Sequence, residues 1–381
     1  MARAYLDHAS TTPPRPEAVA ALAHWATLPT GDPGRLHEEG RTVRDALELA
    51  RGQVAELVGV AGRQVVFTSG AAESINAAIW GATRIVPGAP VLSAAVEHSA
   101  VRDASARLAP IEEVGVDGAG RIDVGALRER LQSGARPRPA LVHCQWGNHE
   151  VGTLQPVHEV VALCRAGGVT VHVDAAAACG HVPMDLAELD ADLVSISAHK
   201  LGGVPGAGAL VVRRGSRFDP LLVGGEQERG RRAGLEALPA LLAFGAAAAA
   251  LAEGAHRTMQ TEAATARRQI GSVIDAALAV EGVAVVGPDA EARLPHLVCL
   301  GVHGVEAEPV LIGLDRAGVA VHSGSACSSE SIEPSPVLEA MGVDPSHSLR
   351  ISVGWTTTDD DCRAFATAFS RVVADLRALR G

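Results

Sequence analysis

The sequence predicts an α/β protein, a mainly parallel sheet covered by helices with a smaller α+β domain beside it. Two observations carry that prediction. Short apolar runs that end in polar or glycine residues alternate with stretches whose apolar residues recur every three or four positions. Strand and helix in alternation build a parallel sheet covered on both faces. The chain of 381 residues also exceeds what one hydrophobic core serves, and suits one large domain with a smaller one.

In chain order, "PEAVAALAHWATL" and "RTVRDALELARGQVAELVG" read as amphipathic helices. "QVVFTS", "PVLSAA", "PALVHCQW", "VTVHVDA", "DLVSISA" and "GALVVRR" read as buried strands. The helical stretches "AAESINAAIWGAT", "SAVRDASARLA", "DVGALRERLQ" and "PVHEVVALCRAGG" separate most of the early ones. Next comes "ALPALLAFGAAAAALA", Ala237 to Ala252. It is shorter than the about 20 apolar residues that span a bilayer, is dominated by alanine, and is flanked by Glu236 and Glu253. It reads as a helix buried in a core or a subunit interface. Beyond it the pattern changes to a long helix near Thr258–Val280, then "VAVVG", "PHLVCLGV", "PVLIGLDRAG", "SLRISVG" and a final helix. That is the smaller α+β part.

Composition excludes several function classes. Acidic residues (44) outnumber Lys and Arg (33), for a net charge of -11, so the concentrated positive surface of a nucleic-acid binder is missing. Aromatic residues are only 3%, too few for a base-stacking platform. The N-terminal "MARAYLDHAS" lacks the apolar run of a signal peptide, and a cytoplasmic location without membrane partners is the expectation. None of the six cysteines forms a CxxC pair and no His pair has helical metal-binding spacing, so no metal site is expected. Most of the cysteines sit in apolar runs such as "LVHCQW" and "HLVCLG". Cys327, in "HSGSACSSE", is set among Gly and Ser, the composition of an exposed mobile loop.

In open α/β sheets, ligands bind at the carboxyl ends of the strands. Three polar groups fall there. "FTSGAAES" follows a strand and opens a helix, so Gly70, Ala71 and Ala72 offer backbone N–H groups to a phosphate. "VHVDAAA" ends a strand on Asp174, and "SISAHK" ends one on Lys200. Such residues are ordinarily a helix cap and a solvated strand end; a phosphate cradle, a carboxylate and a lysine together are what pyridoxal phosphate requires. The lysine takes the aldehyde, the carboxylate keeps the ring nitrogen protonated, and the helix N-terminus holds the phosphate. His98, in "AAVEHSAV", follows another strand and suits stacking and proton transfer.

The order of these pieces resembles the cysteine desulfurases, pyridoxal-phosphate enzymes of the aminotransferase class V group. The resemblance runs over nearly the whole chain: "YLDHASTTPPRPE", "FTSGAAESIN", "VEHSAV", "NHEVGTLQP", "HVDA", "SAHKLGGVPGAGAL", "GGEQERGRRAG", "HSGSACSSESIEPSPVL" and "SLRISVG". It implies the PLP-dependent transferase-like fold (aspartate aminotransferase fold type I) and a homodimer. It also implies a large cofactor-binding domain over residues 16–256 and a small domain from 1–15 plus 257–381 carrying the cysteine loop. By the same resemblance Lys200 is the Schiff-base lysine, Asp174 the partner of the ring nitrogen and His98 the stacking histidine. Ser197 and His199 contact the phosphate, Arg350 clamps the substrate carboxylate, and Asn148 and His149 border substrate and cofactor. Cys327 is the nucleophile that takes sulfur from L-cysteine as a persulfide, releases L-alanine, and passes the sulfur to an acceptor protein for cluster assembly or thiolation.

Four positions depart from the family pattern. Ala177 stands where a glutamine is usual, His149 where the second of two asparagines is, Ala72 where the phosphate turn carries a threonine, and Leu235 where a threonine reaches the neighbouring subunit's phosphate. Each hydrogen bond lost to a charged group costs roughly 1.5–3 kcal/mol, less where water or His149 substitutes, so weaker cofactor retention is expected. The readings that stay open beside an active desulfurase are a catalytically weakened paralogue acting as scaffold or regulator, a selenocysteine lyase, and a class V aminotransferase-like enzyme. An aminotransferase has no need of the Cys327 thiol.

Overall fold

The computed structural model describes residues 3–28, 31–134, 137–323 and 334–379. Twelve strands are present among them: β1 (Ala4–Tyr5), β2 (Val65–Thr68), β3 (Val91–Ala94), β4 (Ile111–Val114), β5 (Leu141–Gln145), β6 (Thr170–Asp174), β7 (Leu193–Ser197), β8 (Gly208–Val212), β9 (Val283–Val286), β10 (Leu297–Val302), β11 (Val319–Ala320) and β12 (Ser348–Ser352). Seven form one sheet in the order β2-β8-β7-β6-β5-β3-β4. The run from β7 to β4 is parallel, and β8 alone lies antiparallel to its two neighbours. All six apolar runs read as strands are in this sheet. The edge strand β4 is not among them: "IEEV" is half exposed and carries two glutamates, so it has no apolar run to announce it.

Alternate residues of each strand point to opposite faces. On one face Leu92, Val142, Val171, Val173, Val194 and Ile196 enter the main core, against the helices Glu38–Leu57, Val157–Gly167 and Leu238–Leu278. On the other face Val91, Leu141, Val66, Leu193 and Leu210 meet Ile75, Ile79 and Ala78 of the helix Ala71–Ile85. That second face also carries polar residues on the three central strands. His143, His172 and Ser195 form a fully buried row, with His143 Nδ1 2.8 Å from His172 Nδ1 and His172 Nε2 2.7 Å from Ser195 Oγ. Two residues further along each strand, at its carboxyl end, lie Gln145, Asp174 and Ser197.

A second core joins both chain ends. Ala4 and Leu6 pack with Val273, Val298, Leu300, Leu349, Ile351, Phe365 and Phe369. The antiparallel sheet β12-β10-β9 and the two-stranded β1-β11 surround it. The Ala-rich stretch is buried, as expected: Leu241, Leu242, Ala243, Phe244, Ala247, Ala248 and Leu251 all enter the main core. It continues into the next predicted helix as one element, Leu238–Leu278, broken where Gly254, Ala255 and His256 take left-handed φ of 61°, 59° and 66°.

Candidate active site

The carboxyl-end row of the polar face forms the floor of a cavity of about 490 Å³. Asp174 ends β6 and Ser197 ends β7, and the turn Ala198–Lys200 carries Lys200 into the same space. Gly70, Ala71 and Ala72 line it from the amino end of the helix Ala71–Ile85, His98 and His149 from the loops after β3 and β5, and Arg350 from β12. Ten of the residues singled out in the sequence, spread over 281 positions from 70 to 350, are thus brought together.

The turn at Gly70 is an anion cradle. The first N–H groups of a helix have no partner within it. The turn is braced from outside: Ser69 N–H donates to Glu73 Oε2 at 2.8 Å, and Arg232 Nε donates to Glu73 Oε1 at 2.9 Å. Gly208, at the start of β8, backs it so closely that a Cβ there would lie 2.5 Å from Gly70 Cα. Ser197 Oγ is buried and has no hydrogen-bond partner among the described residues. A phosphoryl oxygen on the cradle would satisfy it, at less cost than leaving the hydroxyl orphaned.

The electrostatics divide the site. Asp174 is buried, which raises its carboxyl above the ordinary value; a 2.9 Å bond from Ala176 N–H to Oδ1 and the charge of Lys200 oppose that rise. Burial pushes His98 down to about 2, and His149 and Lys200 add to the effect. Ala100 N–H donates to His98 Nδ1 at 3.0 Å, which leaves the ring's proton on Nε2. His149 is also held well below its ordinary value by burial and then Lys200, and His199 lies at about 4 for the same reasons. His149 meets His98 edge-on, ring centroids 4.8 Å apart. At neutral pH the cavity therefore offers neutral imidazoles around one lysine.

Asn148 does not join them. It is fully buried, its Oδ1 accepts from the N–H groups of Glu150 and Val151 at 2.8 Å each, and its Nδ2 donates to Val96 O at 3.2 Å. Its amide holds the turn that presents His149, and substrate contact is corrected to that role. Among the departures, Ala72 and Ala177 line the cavity and bring no hydroxyl or amide, while Leu235 stands 64% exposed beside a smaller pocket. Cys327 lies outside the described residues. The other five cysteines are buried thiols that burial pushes up, Cys164, Cys179 and Cys299 to about 12, which leaves them poor nucleophiles.

Three contributors carried no signal of their own in the sequence. Asp7 and Ser10 hold Arg350, and Glu97 sits behind Asp174. Glu97 is fully buried; Gln145 N–H donates to its Oε1 at 2.7 Å, and Oε2 has no partner among the described residues. Burial and then the Asp174 charge push it up to about 8, so it is a neutral acid at pH 7. The folded chain keeps this proton where the unfolded chain releases it. Stability therefore falls as pH rises from the ordinary 4.5 toward about 8. In Glu97→Gln that fall should flatten by up to about 1.4 kcal/mol per pH unit, measured by urea unfolding between pH 5.5 and 7.5.

The aminotransferase class-V family model matches residues 4–365. A cysteine desulfurase of Gluconacetobacter diazotrophicus is 37% identical, covering 98% of this chain and 94% of that protein. One of Cereibacter sphaeroides is 37% identical over 100% of this chain and 98% of its own. Among solved structures, a NifS-like protein from Rickettsia africae superposes with a TM-score of 0.87 at 27% identity, covering 98% of this chain and 99% of that one. With a class-V match over nearly its whole length, and a lysine, carboxylate and anion cradle converging on one cavity, the chain belongs to the cysteine desulfurases of the aminotransferase class-V family.

Proposed function

We propose that this chain removes sulfur from L-cysteine with pyridoxal phosphate as cofactor, giving L-alanine and a persulfide on Cys327 that passes to an acceptor protein. The observation that carries the reading is the convergence of Lys200, Asp174, His98 and the helix N-terminus on one cavity. The residues fit the cofactor: the N–H groups at Gly70 to Ala72, Ser197 and His199 would hold its phosphate, Asp174 its ring nitrogen, His98 its face and Lys200 its aldehyde. When bound, it supplies an electron sink for the bonds of the amino acid. The chain's own part is positional and protonic. Arg350 binds a carboxylate, His98 offers the proton on Nε2, and the buried floor keeps water from Asp174. Overall, L-cysteine and one thiol become L-alanine and one persulfide, with atoms and electrons balanced.

The homodimer and a cytoplasmic location belong to the same proposal. Leu235 stands exposed at the end of the segment that the family resemblance sends to the neighbouring subunit, and Leu222 and Val223, ahead of that segment, are exposed as well. The unpaired thiols suit a reducing compartment. The acceptor's pathway, cluster assembly or thiolation, is proposed from the family alone.

The test is release of alanine and sulfide from L-cysteine under reductant. Cys327→Ala should cut sulfide release by at least on the order of 10²-fold with the protein's colour unchanged. Full release by that variant would overturn the nucleophile. The missing hydroxyl at Ala72 favours the scaffold reading as the second one, and a colourless protein that cannot be reconstituted would support it.

A further inference from the structure

Arg350 is already engaged. It is 2% exposed, and its Nη2 donates to Asp7 Oδ1 at 2.8 Å and to Ser10 Oγ at 2.7 Å. Nη1 donates to the His149 carbonyl at 2.9 Å, and Nε has no partner among the described residues although it is buried. Ser10 Oγ donates to Asp7 Oδ1 at 3.0 Å, which closes a triangle of Asp7, Ser10 and Arg350. A guanidinium grips a carboxylate with two parallel bonds along one of two edges, Nη1 with Nη2 or Nε with Nη2. Nη2 belongs to both edges. Any incoming carboxylate therefore competes with Asp7 for that nitrogen.

The fold decides which partner gives way. Asp7 bridges to Ser352, two residues along β12 from Arg350, so both backbones are fixed to the same sheet edge. The side chain of Asp7 is 17% exposed and that of Arg350 is 2% exposed. The carboxylate can turn toward solvent; the guanidinium cannot.

We propose that Asp7 is a specificity-determining residue, a resident carboxylate that occupies the Arg350 clamp in the free protein and that the substrate's carboxylate displaces. The proposal rests on the reading of Arg350 as the substrate-carboxylate site. A ligand without a carboxylate has nothing to exchange with Asp7, so the triangle stays closed against it. The strength of the Asp7–Arg350 pair is subtracted from the affinity of every ligand that does open it.

Asp7→Asn tests this, because the amide oxygen still accepts from Nη2 but without the charge, a bond about half as strong. KM for L-cysteine should fall roughly three- to tenfold while kcat stays within about twofold. Binding of L-alanine, read as a shift in unfolding temperature of the cofactor-loaded protein, should tighten by a similar factor, and binding of L-alaninamide, which has no carboxylate, should not. A KM that rises or stays unchanged, with L-alanine no tighter, overturns the proposal and makes Asp7 a residue that merely aligns Arg350. If Asp7→Asn does not fold, Asp7→Ser gives the same comparison. Arg350→Lys separates the underlying reading: should it leave KM and L-alanine binding unchanged, the carboxylate clamp itself fails, whatever Asp7 does.

Discussion

Lys200→Ala should abolish turnover, with alanine release from L-cysteine falling by on the order of 10³-fold or more. The lysine ends the single turn Ala198–Lys200 that follows β7, half-buried at the edge of the cavity, so its truncation removes an amine and opens no hole in the core. Its loss reaches further than the covalent role. The Lys200 charge helps hold His98, His149 and His199 neutral and opposes the rise of the Asp174 carboxyl. Without it the three imidazoles take up protons more readily and Asp174 becomes a weaker acid, so the charge balance of the site shifts along with the loss of the amine. Mass spectrometry after borohydride reduction should find a cofactor adduct at position 200 in the native chain and none in the variant. Unchanged far-ultraviolet circular dichroism would show that the fold survives. Turnover retained by Lys200→Ala would sink the assignment.

Arg51→Ala should be the most damaging single change to stability, costing about 3–5 kcal/mol in urea unfolding. Arg51, 2% exposed, gives Glu228 two parallel bonds, at 2.5 Å to Oε2 and 2.8 Å to Oε1, and a third to the Val65 carbonyl at 3.0 Å. Glu228 Oε2 also accepts from Phe67 N–H at 2.8 Å. The pair ties the helix Glu38–Leu57 to the edge strand β2 and to the segment that ends in Leu235. The guanidinium also packs over the Phe67 ring, 4.6 Å from its centroid. Removing the arginine leaves a buried carboxylate with a single N–H for company. Glu228→Gln keeps an acceptor for that N–H, and Arg51 Nε keeps its 3.0 Å bond to Glu48 Oε1, so it should cost less than Arg51→Ala. An equal or larger loss would mean that the charge on Glu228, rather than its bonds, holds the segment.

The local part of this architecture is legible residue by residue. Asp174 and Ser197 end apolar strands and Lys200 follows one, and a strand with period two in a parallel sheet must deliver its last residues to the ligand-binding edge. The Gly70 turn follows from the same rule, since a glycine between strand and helix leaves N–H groups to spare. β4 is not legible, because an edge strand with one exposed side needs no apolar run. Nor is the contrast between Asn148 and His149: adjacent in the chain, one turns into the protein to cap a backbone turn and the other into the cavity. Local pattern cannot say which.

Chemistry, family and the succession of strands and helices along the chain were determined by the sequence itself, because period, glycine placement and motif order act over a few residues at a time. Only the tertiary structure decided that Asp7 sits on Arg350 across 343 residues, that Glu97 stands protonated behind Asp174, and that Glu228 pins β2. Those contacts depend on which strands become neighbours and how much water is left between them. Burial, not local propensity, sets the charge state of Glu97, His98 and His149.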